Sequence, residues 1–128
     1  MIILDSDVII DFLRQYAPAV DWFRSLGDEE LALPGYVVME LMQGCENKAE
    51  LRALEKFVAD FRVVWPAAET CDAALAIFAQ HNLSHNLGVL DALIGQTAVA
   101  LSLPLHTHNR KHYAAIPDLR IVQPYRKL

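Results

Sequence analysis

Met1-Ile2-Ile3-Leu4-Asp5-Ser6-Asp7-Val8-Ile9-Ile10-Asp11 opens the chain and decides how the rest is read. The apolar run over residues 1–5, ending in Asp5, predicts a short buried strand. Asp7 then has the place of a helix N-cap, with Val8, Ile9, Phe12 and Leu13 as the apolar stripe behind it. Working outward, Pro18 suits the first turn of a second helix that carries Val20, Trp22, Phe23 and Leu26 and stops at Gly27. Leu31-Ala32-Leu33-Pro34 reads as a second strand, followed by helices over about 36–44 and about 48–60. Arg62-Val63-Val64-Trp65 reads as a third strand, and helices over about 70–81 and 87–101 follow. Leu103 to Thr107 is a fourth strand, with Pro104 keeping its start at the sheet boundary, and Leu119 to Val122 is a candidate fifth.

Strands alternating with helices imply an α/β fold with a parallel sheet of four or five strands and helices on both faces. No internal repeat, low-complexity tract or linker interrupts the alternation, which predicts one compact domain over residues 1–128. In such sheets ligands bind outside the carboxyl ends of the strands. Asp5 ends the first strand and Thr107-His108-Asn109 ends the fourth, so the site is expected there.

The size of the chain, 128 residues, suits one domain with a full hydrophobic core. Hydrophobic residues make up 54 % and charged residues 21 %, a balance that predicts an oligomer interface besides a well-filled core. No apolar run reaches the ~18 residues of a membrane span. The start lacks a basic region and is broken by an acid, unlike a signal peptide. A cytoplasmic protein is expected, with Cys45 and Cys71 as buried reduced thiols, since neither belongs to a Cys-x-x-Cys pair or a zinc spacing. His81, His85, His106, His108 and His112 form no ligand pattern with a nearby third donor either. The formal net charge of −5 is awkward for a nucleic-acid binder; it suits a protein that gathers acids around a cation or docks on a basic partner.

Most of the sixteen acids sit in polar surroundings, but three do not. Glu40 lies in Val37-Val38-Met39-Glu40-Leu41-Met42, and on a helix it shares a face with Val37, Leu41 and Gly44. A charge buried there without a partner costs several kcal/mol; the bland alternative is an edge position that reaches solvent. Asp91 lies in Val89-Leu90-Asp91-Ala92-Leu93-Ile94-Gly95-Gln96-Thr97-Ala98, on a face of mostly small residues that lets its helix press against a neighbour. Its bland alternative is a carboxylate favoured by the helix dipole in the first turns. Asp5 sits where strand gives way to helix, where a turn or capping role is the alternative. All three can converge at the same strand ends. Three carboxylates with open positions are what Mg²⁺ or Mn²⁺ takes, and acids that close stay ionised together only beside a cation.

These residues, in this order, resemble the PIN-domain family, especially the VapC-like toxin ribonucleases of toxin–antitoxin pairs. Residues 1–11 look like the family's opening, and Glu40 falls in its second motif, an apolar helix with a Glu and a nearby Gly. Asp91 to Ala98 resembles the third motif. Thr107-His108-Asn109-Arg110-Lys111-His112-Tyr113 resembles the fourth, and Pro117-Asp118-Leu119-Arg120 the usual tail. One departure stands out: family members commonly carry a fourth acid after the position of Thr107, where this chain offers Asn109 and His112. The metal count, one or two, stays open on that ground. The resemblance implies a three-layer αβα sandwich, a homodimer, Mg²⁺-dependent cleavage of RNA, and an antitoxin whose C-terminal segment wraps the toxin and brings a basic side chain near the acids.

On that reading Asp5 and Asp91 are the principal metal ligands, with Glu40 direct or through water, and the metal activates a water against the phosphodiester. Ser6 and Thr107 are expected to hold the ligands by hydrogen bonds, with local capping as their alternative. Asp7 and Asn109 belong to the same supporting group. Arg14, Arg110 and Lys111 are candidate phosphate contacts, with ordinary solvated charge as the alternative. Two rivals remain. One is a PIN-like module that binds RNA or a partner with little or no catalysis. The other is a haloacid-dehalogenase-like phosphatase, mimicked by Asp5-Ser6-Asp7-Val8; it lacks the expected residue at Ile9 and wants an acidic pair after a strand, whereas Asp91 falls within a helix.

Overall fold

The opening apolar run becomes the middle strand of the sheet. In the computed structural model, which describes residues 1–127, β1 (Ile2–Leu4) pairs in parallel with β2 (Leu31–Pro34) on one side and β4 (Leu105–His106) on the other. The outer strands β3 (Arg62–Val64) and β5 (Ile121–Val122) are parallel as well. The order β3-β2-β1-β4-β5 follows. Ile3 and Leu4 of β1, Ala32 and Leu33 of β2 and Leu105 of β4 are all fully buried. A strand covered on both faces reads as a continuous apolar run, which is why 2–4 and 31–34 do not alternate.

Seven helices among the described residues flank this sheet: α1 (Ser6–Leu13), α2 (Ala17–Ser25), α3 (Gly35–Gln43), α4 (Lys48–Val58), α5 (Ala68–His85), α6 (Val89–Ala100) and α7 (Arg110–Tyr113). The result is the expected αβα arrangement around a parallel sheet, here with all five strands. Helix α1 packs on α2 and α3, α3 also packs on α4 and α6, and α5 pairs with α6. No described helix is long and apolar enough to cross a membrane.

Several local expectations need correction. Asp5, not Asp7, is the N-cap of α1: its backbone is extended and its Oδ1 accepts the Ser6 N–H at 2.8 Å. Helix α5 runs on to His85, because the chain keeps helical residues until Asn86 turns it left-handed at φ 52°. The fourth strand keeps only Leu105 and His106 of the run from Leu103 to Thr107. Helix α7, four residues long, has no counterpart among the expected elements; one turn is too short to show a helical period. Cys45 and Cys71 are free but half-buried rather than buried.

The strand order matters for function. The chain lays β2 and β3 to one side of β1, then crosses to place β4 and β5 on the other side. The crevice between the carboxyl ends of β1 and β4 is therefore the switch point, where loops diverge and a ligand can enter. Asp5 follows β1 at that crevice, and Thr107 follows β4.

Candidate active site

Asp5 is 2 % exposed and its carboxylate accepts three hydrogen bonds. Oδ1 takes the Ser6 N–H; Oδ2 accepts the Thr107 hydroxyl at 2.8 Å and the Tyr113 hydroxyl at 3.0 Å. Burial pushes its pKa up to about 6, helped by the negative charge of Asp7 and opposed by the hydrogen bonds from Thr107, Ser6 and Tyr113. Thr107 is fully buried and also accepts the Asn109 N–H at 3.0 Å. A buried hydroxyl with donor and acceptor both used fixes the loop after β4 onto the end of β1.

Asp7 stands beside this pair. Its Oδ1 accepts the Val8 N–H at 2.9 Å and its Oδ2 the His108 N–H at 2.8 Å. The expected supporting role fits these bonds, which tie α1 to the loop after β4. Ser6 contributes through its backbone only; its hydroxyl makes no hydrogen bond among the described residues, so the expected side-chain support is absent. Asn109 likewise acts through its N–H, and its side chain does not cap α7.

Glu40 lies half-buried on α3, and its carboxylate makes no hydrogen bond or ion pair among the described residues. Its pKa is pushed up to about 7 by burial, then by the charges of Asp5, Asp91 and Asp7 in that order. Asp5, Asp7 and Asp91 are thus the acids whose charges bear on Glu40. Asp91 sits in the first turn of α6, where its Oδ2 accepts the Gly88 N–H at 3.1 Å. The bland helix-start role of Asp91 is thus real. Gly88 is needed for it: a Cβ there would lie 2.8 Å from Asp91 Oδ2. His112, on the exposed surface of α7, stands 3.8 Å from Asp91 Oδ2.

Among the described residues no lysine or arginine pairs with any of the four acids. The donor set, oxygen only and self-repelling, fits a hard divalent cation. As the side chains stand, no three potential ligands among the described residues close on one point. Glu40 and Asp91, both partly open to solvent, would have to turn toward Asp5 to complete such a site. Arg14, Arg110 and Lys111 are exposed; Arg14 borders a groove that reaches Glu40.

Two residues of the site escaped sequence reading. Tyr113 was quoted within a motif without a role, and His108, whose N–H binds Asp7 and whose Nε2 lies 2.9 Å from the Tyr125 carbonyl, had none either. The polar tip on an otherwise buried aromatic is the one signal that Tyr113 offered.

The PIN domain family model matches residues 2–117. Ribonuclease VapC10 of Mycobacterium tuberculosis is 37 % identical over 123 residues, covering 94 % of this chain and 91 % of that protein. Ribonuclease VapC19 of the same organism is 30 % identical over 125 residues, covering 94 % and 98 %. A chain from a toxin–antitoxin complex of Klebsiella pneumoniae shares the fold with a TM-score of 0.79 at 22 % identity, covering 99 % of this chain and 100 % of that one.

Proposed function

The chain belongs to the PIN domain family, and from that premise we propose that it is an Mg²⁺-dependent endoribonuclease, with Mn²⁺ as a substitute, and the toxin of a toxin–antitoxin pair. What supports this reading is a set of acids, with the charges of Asp5 and Asp91 bearing on Glu40, none of which is paired with a lysine or arginine among the described residues. The ribonuclease names of the two mycobacterial relatives support RNA as the substrate. Family membership also removes the phosphatase rival.

Asp5, Asp91 and Glu40 would hold the cation. When bound, it supplies Lewis acidity toward the scissile phosphate. Asp5 is the fixed member, immobilised by three donors. Glu40, whose carboxylate has no hydrogen bond to give up among the described residues, is the group suited to take the proton of the attacking water. Thr107 and Asp7 keep the β1 and β4 ends in register. Arg14, Arg110 and Lys111 meet the RNA phosphates on either side.

A groove of about 700 Å³ lies between α1, α3 and α4, with Ile10, Leu13, Leu41 and Leu54 as its apolar lining and Glu46 and Glu50 beside it. Its apolar lining and acidic residues suit an amphipathic antitoxin segment with a basic side chain that reaches Glu40. Exposed Leu75, Leu83 and Val89 support self-association as a homodimer.

The test is RNA cleavage by wild type, Asp5→Asn, Glu40→Gln and Asp91→Asn at matched purity, with Mg²⁺ or Mn²⁺ and with chelator. Wild type should cleave only with cation, and each variant should lose most of that activity. Undiminished cleavage by Asp5→Asn or Asp91→Asn sinks the assignment. Growth arrest on expression, relieved by Asp5→Asn, separates a catalytic toxin from a module that only binds.

A further inference from the structure

Tyr113 is the last residue of α7, 2 % exposed, with its ring against Gly95 of α6. A buried tyrosine hydroxyl needs a partner, and this one has chosen the same oxygen that Thr107 uses. Each carboxylate oxygen offers two lone-pair sites. On Asp5, both sites of Oδ2 are filled, by the hydroxyls of Thr107 and Tyr113. Oδ1 has filled one, with the Ser6 N–H. One lone pair is left, on Oδ1.

We propose that Tyr113 is a positioning residue that, with Thr107, restricts Asp5 to one-oxygen coordination of a divalent cation and thereby disfavours Ca²⁺. The inference rests on Asp5 being a cation ligand, as proposed above. Ca²⁺ commonly takes a carboxylate through both oxygens in loose geometry, whereas Mg²⁺ demands a small, regular shell with one oxygen per ligand. Blocking Oδ2 leaves the second mode and removes the first. The phenyl ring of Phe would keep the packing against Gly95 and Ile116 while freeing one lone pair of Oδ2.

Calorimetry on the full chain tests this. Dissociation constants for Mn²⁺ (standing for the small cation) and Ca²⁺ are measured for wild type, Tyr113→Phe, Thr107→Val and Asp5→Asn, with melting temperatures taken in EDTA. Wild type should favour Mn²⁺. In Tyr113→Phe and in Thr107→Val the preference should narrow by about tenfold, the scale of one hydrogen bond to a charged group. Thr107→Val tests the same oxygen without touching the aromatic packing, so a folding defect in one variant leaves the other decisive. An unchanged Mn²⁺-to-Ca²⁺ ratio in both variants, or an equal loss for both ions that tracks a fall in melting temperature, overturns the role of Tyr113 alone. If wild type binds neither ion, or Asp5→Asn binds both as wild type does, the metal site itself falls and the proposal falls with it.

Discussion

Replacing Asp5 by Asn should make the cation-free protein more stable at pH 8 and less stable at pH 4. The carboxyl is 2 % exposed, and its pKa rises from 3.8 to about 6 on folding. A raised acid pKa means that the folded state holds the proton more tightly than the unfolded chain. The stability linked to that proton is full below pH ~4 and is lost as pH climbs through ~6. A shift of about two units is worth about 3 kcal/mol at pH 8. Asn escapes this penalty but meets donors on both sides. With its carbonyl toward Ser6 N–H, its amide faces the two hydroxyls, which turn to accept; Thr107 can still donate toward Asp7, 3.4 Å away. Tyr113 is left with a buried proton and no acceptor, at a cost of about 1 kcal/mol. The net gain at pH 8 is about 2 kcal/mol, or about 6–10 °C for a chain of this size. Near pH 4 the wild-type acid is protonated, so only the cost remains and wild type is the more stable. Thermal melts of both proteins in EDTA from pH 4 to pH 8 read this directly. A difference of constant sign across that range refutes the account of Asp5 as a strained buried charge.

Three further outcomes are expected. Mg²⁺ at about 100 times its dissociation constant should stabilise wild type by about 2.7 kcal/mol at pH 8 and far less at pH 5, because Asp5 and Glu40, with pKa values of about 6 and about 7, must first release protons; equal melting shifts at both pH values would contradict this. Gly88→Ala should force Asp91 away from its 3.1 Å bond to the residue-88 N–H, lowering RNA cleavage about tenfold, close to one lost hydrogen bond, in single-turnover assays. Asn47→Ala removes the side chain that accepts the Glu50 N–H at 2.9 Å at the start of α4; urea unfolding should show a loss of about 1 kcal/mol, with cleavage unchanged.

The layer pattern was legible because buried parallel strands are short apolar runs with helical periods between them, and residues 2–4, 31–34 and 105–106 carry that signature. The three acids stand out in the sequence because each breaks an apolar pattern. What stayed hidden depends on contacts across the chain. Either Asp5 or Asp7 could cap α1 on local grounds; Asp7 is drawn instead to the His108 N–H, and Asp5 is left to begin the helix. Tyr113 looked like one more core aromatic, since nothing near it in sequence announces an acceptor at residue 5. The end of α5 was set too early because His81 to His85 is polar enough to read as a loop, yet nothing there stops a helix before Asn86.

The hydroxyls that hold Asp5 lie 102 and 108 positions away along the chain. Asp5 therefore leaves the ribosome about a hundred residues ahead of Thr107 and Tyr113. At about 5–20 residues per second, the acid waits on the order of ten seconds for its partners. During that interval β1 has no β4 beside it. A carboxylate held this way stays without its side-chain partners until both Thr107 and Tyr113 have been made.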